Sequence, residues 1–149
     1  MDIASIVLAG GRGLRLGHEK AVETVGNKSL IQWVVFSLGF FNSDVIVVAA
    51  AKQFFPQFIG YPKLRIVTDT YPGKGPLGGI YTGLAASDSF YNLVVACDMP
   101  FLNPALLDYM IQMSASFDSK HLSFFNVNTE ADLETAREVA RGNMSYDKC

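Results

Sequence analysis

The 149-residue chain is poor in the side chains that build metal and redox centres: two cysteines, Cys97 and Cys149, and two histidines, His18 and His121. Cysteines this far apart exclude a disulfide framework and a zinc ribbon, and read as free thiols in a reducing compartment. The histidines show no ligand spacing either and are expected at the surface. Charge is sparse too, with 12 basic against 14 acidic side chains and a net charge of -2. The absence of a basic excess argues against a nucleic-acid binder. No apolar run reaches the roughly 18 residues of a membrane helix. Asp2, with no basic stretch ahead of the first apolar run, is unlike the start of a secretory signal. Six prolines and 13 glycines are too few for a low-complexity chain. What is abundant is apolar surface, since 50% of the residues are hydrophobic. Such a chain is expected to be cytoplasmic, bind neither nucleic acid nor membrane, and form a single domain over residues 1–149.

The apolar runs are short and bounded by glycine or carboxylate, as in strands buried on both faces. Ile3–Leu8, Asp44–Ala49, Leu64–Val67 and Asn92–Ala96 read as strands, and Phe124–Val127 as a shorter one. Between them, Ser29 is placed to cap a helix over Leu30–Leu38 that Gly39 ends, and Pro76 to open one reaching about Ala86. A weak aromatic helix is expected around Phe54, and another over Pro104–Met113. Thr129 and Asp132 resemble a capping box for a helix to about Ala140. Phe36, Phe40 and Phe41 are expected in the core or at an interface. Alternating strands and helices predict a parallel sheet with helices on both faces. Ligands of such sheets bind outside the carboxyl ends of the strands, which directs attention to Gly10–Arg15, Asp69 and Cys97-Asp98.

Between Gly10 and Lys20 the chain packs four glycines, two arginines and a lysine. Glycines directly after a strand let backbone amides approach an anion, and Arg15 and Lys20 add positive charge beside them. A triphosphate suits that set, although the segment is neither a Walker loop nor a dinucleotide fingerprint. Asp98 ends a buried strand and is placed to hold Mg²⁺, a hard cation that keeps sites open for phosphate oxygens. An isolated aspartate in that position also serves as a turn or cap residue. Asp69 is suited either to a base or ribose contact or to the turn before Tyr71-Pro72. If the strands ending at Asp69 and Asp98 are neighbours, the two carboxylates repel each other. Cys97, with no base nearby, reads as a small core residue.

Four motifs in order carry a resemblance: Leu8-Ala9-Gly10-Gly11 with Arg15-Leu16-Gly17 and Lys20, then Gly75-Pro76-Leu77-Gly78-Gly79, then Cys97-Asp98-Met99-Pro100, then Phe125-Asn126-Val127-Asn128-Thr129. The chain from Ile3 to about Arg137 resembles the molybdenum cofactor guanylyltransferases, nucleotidyltransferases with a Rossmann-like, three-layer (GT-A-like) and mainly parallel α/β fold. The resemblance implies transfer of GMP from GTP to Mo-molybdopterin with release of pyrophosphate. It implies GTP contacts at Leu8, Ala9, Gly10, Gly11, Lys20, Asp69 and Asp98, with catalytic roles for Arg15, Lys20 and Asp98. It places Mg²⁺ on Asp98, the pterin substrate near Pro76, Leu77, Gly78, Asn126 and Asn128, and molybdoenzyme-specific chaperones among the partners. Gly13 and Leu16 stand where the family usually has serine and methionine, and Ala49 where it often has asparagine. Family members also carry further residues near Lys120, where only Ser114–Ser123 intervene here. The alternatives are a related nucleotidyltransferase using CTP or a sugar phosphate, and a nucleotide-binding protein without turnover.

Overall fold

The computed structural model describes residues 2–10, 20–51, 61–117, and residues 131, 134, 137, 138 and 141. It divides into two compact units, Met1–Pro104 and Ala105–Cys149. In the first unit the elements run β1 (Ile3–Leu8), a 3-10 turn (Lys20–Val22), a two-stranded ribbon of β2 (Thr24–Val25) and β3 (Lys28–Ser29), and α1 (Leu30–Leu38). They continue with a second 3-10 turn (Gly39–Phe41), β4 (Asp44–Ala49), β5 (Leu64–Thr68), α2 (Pro76–Ala86) and β6 (Tyr91–Ala96). The sheet has four strands in the order β5-β4-β1-β6. Each neighbouring pair is parallel, with Leu8 opposite Val48 on one side and Ala96 on the other.

β1 and β4 are the spine of the core. Ala4, Ile6, Val7 and Val45–Val48 are at most 1% exposed, as expected of β-branched runs that pack on both faces of a sheet. Side chains alternate across the pleat. Ile6, Ile46 and Val48 therefore share one face, where Leu8, Val67 and Ala86 pack against them. α2 lies on this face. A Cβ on Gly83 would overlap Ile6 Cγ2, and one on Gly79 would lie 3.2 Å from Leu8 Cδ2. The helix thus runs antiparallel to the strands, its N-terminus at their carboxyl ends. Ser5, Val7, Val45 and Val47 point to the opposite face and are equally buried. α1 contributes buried Ile31, Val34, Val35 and Leu38.

α1 starts where the sequence indicates. Ser29 Oγ accepts the Gln32 amide while the Gln32 side chain accepts the Ser29 amide, a reciprocal cap worth about 1 kcal/mol. Gly39 does not end the helical path outright, because the chain tightens into the 3-10 turn and closes at left-handed Asn42. Of the two places expected for Phe36 and Phe40, core or interface, the core is excluded, since they are 65% and 67% exposed. Phe36 falls outside the buried stripe of α1, Phe40 lies in the 3-10 turn after it, and both line an open groove with Trp33, Tyr61 and Phe101. Lys28 places its ammonium 4.5 Å from the Trp33 ring and 5.2 Å from the Phe36 ring. The aromatics thus carry a cation contact instead of core packing.

In the second unit, α3 (Pro104–Phe117) extends beyond the expected end at Met113. Ala131, Glu134, Arg137 and Glu138 are helical, and Glu134 takes Arg137 at 3.1 Å and Arg141 at 3.4 Å. The expected helix at Phe54, the strand at Phe124–Val127, the Thr129–Asp132 cap, both histidines and Cys149 lie outside the described residues.

Candidate functional site

Order and direction of the strands fix where a ligand fits. The chain moves outward from β1 to β4 and β5, then returns to lay β6 on the other side of β1. That reversal opens a crevice between the carboxyl ends of β1 and β6, the usual ligand position in open parallel sheets. Gly10 follows β1 there, and Cys97-Asp98 follows β6. The pairing continues past the strands, since the Cys97 amide donates to the Leu8 carbonyl at 3.1 Å.

Lys20 and Asp98, 78 residues apart in sequence, meet at this crevice with Nζ 2.9 Å from Oδ2. Their side chains are 40% and 41% exposed. A half-solvated pair of this kind contributes little to stability, so its residues are available for ligand chemistry. Cys97 next to them is 8% exposed. Burial first, and the Asp98 charge second, push its thiol up to about 11. It is a core residue, as its sequence context indicates.

The glycine segment behaves differently from the expected amide cradle at its first two positions. The Ala9 and Gly10 amides both donate to the Val48 carbonyl, at 2.8 and 3.0 Å. They are therefore engaged by β4 and are not open anion donors. Gly10 is exposed, and a Cβ on it would lie 3.2 Å from the Ala50 amide nitrogen, so only glycine passes there without shifting β4. Gly11 and Arg15 lie outside the described residues, as do Asn126 and Asn128.

Asp69 follows β5, three strands away from β6 in the sheet order. At the usual spacing that is about 14 Å. The two carboxylates are not neighbours, so the expected repulsion between them does not arise. Asp69 is tied into its turn: its amide donates to the Ala49 carbonyl at 2.7 Å. Its Oδ1 accepts the Tyr71 amide at 2.9 Å and the Thr82 hydroxyl at 3.1 Å. The same Thr82 hydroxyl lies 3.0 Å from the Gly78 carbonyl and receives the Thr70 amide at 3.1 Å. Nothing in the sequence singles out Thr82. Its only signal is a hydroxyl on the face of α2 that Gly79 and Gly83 mark as buried.

Pro76, Leu77 and Gly78 open α2 at the carboxyl edge of the sheet. Pro76 and Leu77 are exposed, whereas Gly78 is buried and a Cβ there would lie 2.7 Å from the Tyr71 carbonyl. The positive end of the helix dipole and its first-turn amides, which have no partner within a helix, face the same edge as Gly10 and Asp69, which suits an anionic ligand.

A divalent metal fits one point of this edge. Among the described residues no group of three or more His, Cys, Asp or Glu side chains forms a cage. A single accessible carboxylate, Asp98, suits a cation that takes its remaining ligands from water and phosphate. No helix among the described residues is long and apolar enough to cross a membrane.

Comparison with known proteins shows the family and the fold of the chain. The family model described as a MobA-like NTP transferase domain matches residues 5–124. A probable molybdenum cofactor guanylyltransferase of Pelotomaculum thermopropionicum is 36% identical over 79% of this chain and 56% of its own length. One from Peptoclostridium acidaminophilum is 34% identical over 78% of this chain and 49% of its own. The chain thus spans about half the length of these curated relatives. Among solved structures, molybdopterin-guanine dinucleotide biosynthesis protein A from Archaeoglobus fulgidus superposes with TM-score 0.56 at 22% identity, covering 93% of this chain and 98% of that one. Mycobacterium tuberculosis Rv0371c, crystallised as a complex with manganese, gives TM-score 0.57 at 14% identity, covering 79% of this chain and 62% of that one.

Proposed function

Since the chain belongs to the MobA-like NTP transferase domain family, we propose that it transfers GMP from GTP to Mo-molybdopterin, releasing pyrophosphate. The observation that carries this reading is the meeting of Lys20 and Asp98 at the crevice between β1 and β6. One end of that pair suits phosphate and the other a divalent cation. The family match crosses from the first unit into the second, which supports reading residues 1–149 as one nucleotidyltransferase domain that lacks a family stretch near Lys120. Gly11, Arg15, Asn126 and Asn128 keep their assigned roles in phosphate and pterin binding.

In the reaction the pterin phosphate attacks the α-phosphorus of GTP as the bond to pyrophosphate breaks. The nucleophile is already an anion, so the protein has little proton transfer to perform. Its task is positioning and charge. Lys20 leaves Asp98 for the phosphate oxygens and, with Arg15, stabilises the charge that develops on pyrophosphate. Asp98 would hold Mg²⁺, and the bound ion would supply neutralisation of phosphate charge. The fold neighbour with manganese supports a divalent ion of this kind. Leu8, Ala9 and exposed Gly10 form the floor of the nucleotide crevice where β1 ends, without amide donation from Ala9 or Gly10. Pro76, Leu77 and Gly78 present the N-terminus of α2 to the substrate, and Asp69 contacts the nucleoside. A biosynthetic enzyme of this type works in the cytoplasm and passes its product to molybdoenzyme-specific chaperones.

Pyrophosphate release from GTP with Mo-molybdopterin tests the activity. Asp98→Asn tests the mechanism, because the amide oxygen is a poor ligand for a cation that dehydrates reluctantly. Turnover is expected to fall by orders of magnitude and to recover in part at high Mg²⁺ or Mn²⁺, with melting temperature almost unchanged. Unfolding with normal activity per folded molecule would make Asp98 a turn residue.

A further inference from the structure

The Thr82 hydroxyl joins two segments that the sequence keeps apart, the turn after β5 and the first turns of α2. It is 5% exposed, receives the Thr70 amide, and has one proton to give. The choice lies among Asp69 Oδ1 at 3.1 Å, the Gly78 carbonyl at 3.0 Å and the Thr70 hydroxyl at 2.9 Å, which can donate its own proton to Thr82 instead. At nearly equal distances the charged acceptor makes the stronger bond. Both hydrogen bonds to the carboxylate, from the Tyr71 amide and from Thr82, fall on Oδ1. That fixes the carboxylate plane and leaves Oδ2 for a ligand.

The spacing of the sheet says which part of a nucleotide Oδ2 meets. With phosphates at the β1/β6 crevice, Asp69 lies two strands beyond β1, about 10 Å away. The end of a nucleotide farthest from its phosphates is the base. Guanine offers two adjacent donors on its Watson–Crick edge, N1–H and the 2-amino group. Adenine offers an acceptor at N1, which a carboxylate repels. Resting on the reading that the chain binds GTP, we infer that Thr82 is a positioning residue for base selection: it holds Asp69 oriented toward guanine.

A hydroxyl that only closes a helical turn onto Gly78 would act on stability alone, so the test reads nucleotide selectivity. Dissociation constants for GTP and ATP are measured with Thr82→Val, Thr82→Ser, Asp69→Asn and the Thr82→Val/Asp69→Asn pair, each with its melting temperature. Thr82→Val should weaken GTP about tenfold, the worth of one charge-assisted hydrogen bond, and leave ATP within about twofold. Thr82→Ser should bind like the parent. The pair should bind GTP no worse than Asp69→Asn alone, since residues acting through one contact are not additive. Should Thr82→Val fail to fold, Thr82→Ala removes the same hydroxyl without crowding α2. If either hydroxyl-free variant keeps the parental GTP preference while Asp69→Asn loses it, Thr82 has no positioning role. Additive losses in the pair, or equal weakening of GTP and ATP, would overturn the inference as well. If Asp69→Asn itself leaves GTP binding unchanged, Asp69 does not read the base and the inference falls with it. The phosphate and metal assignment at Lys20 and Asp98 would stand in that case.

Discussion

Lys20 and Asp98 share one ion pair but are expected to fail differently when changed. Lys20→Ala removes a half-solvated contact whose loss costs at most about 1 kcal/mol of stability, so the melting temperature should barely move. The same change removes a cation from the phosphates, a loss of about 1.5–3 kcal/mol in GTP binding. Calorimetric titration should therefore show affinity falling roughly tenfold or more. Parental affinity would remove Lys20 from the site. Asp98→Asn should leave stability slightly lower and not higher, because Asp98 faces Lys20 and lies far from Asp69. Cys97 gives a third expectation at this scale. Its thiol is buried and pushed up to about 11, so an aromatic disulfide reagent at pH 8 should modify it only as fast as the fold opens. Measured in Cys149→Ser protein, rapid modification in native buffer would contradict the burial. Lys20, Asp98 and Cys97 can all be singled out in the sequence, because each stands beside a strand end or a glycine run, but the contact of Lys20 with Asp98 across 78 residues cannot. Thr82 cannot be singled out, because its partners Asp69 and Gly78 become neighbours only when α2 folds back over the sheet.

At the scale of elements, α2 sits close on the sheet and tolerates little added volume. Gly79 and Gly83 both face the sheet but meet different atoms. A Cβ at Gly79 would touch Leu8 Cδ2, the far end of a flexible side chain, whereas one at Gly83 would overlap Ile6 Cγ2 in the fully buried core. Replacing glycine by alanine within a helix is worth about 1 kcal/mol in propensity. Overpacking a core costs about 1–3 kcal/mol. Gly79→Ala is therefore expected near neutral or mildly stabilising, and Gly83→Ala destabilising by about 1–2 kcal/mol. Urea midpoints with unchanged slope would measure both. Equal effects would mean that the helix slides to accommodate either methyl. The four strands of the parallel sheet, and the starts of α1 and α2 at Ser29 and Pro76, could be read from apolar runs and caps, whereas the β2–β3 ribbon could not. The exposure of Phe36 and Phe40 could not, because the stripe of α1 that faces the core is set by Ile31, Val34, Val35 and Leu38, and aromatic character alone does not reveal which side of the helix a residue takes. The engagement of the Ala9 and Gly10 amides by Val48 was equally hidden, since it depends on how far β4 extends beside β1.

For the whole molecule the discriminating property is which nucleotide stabilises it. A ligand bound only by the folded state raises stability by RT ln(1 + [L]/Kd), so melting shifts at equal concentration rank affinities. With Mg²⁺ present GTP should give a larger shift than ATP or CTP. A clear preference for CTP would redirect the proposal to a cytidylyl transfer. The layered parallel fold was readable from the alternation of strands and helices, but the strand order was not. Apolar runs carry no record of which strand lies beside which, and the order is what separates Asp69 from Asp98. That order also has a consequence in time. β1 is synthesised well before β6, so one of its edges stays empty until Tyr91–Ala96 arrives to pair with it. Contacts of such long sequence separation close late, since the chain must give up its freedom before they reward it. The crevice that brings Lys20 to Asp98 therefore does not exist in any shorter nascent chain. Nucleotide binding should begin only once β6 has docked beside β1, so the onset of GTP protection during refolding reports a late step of folding and not its beginning.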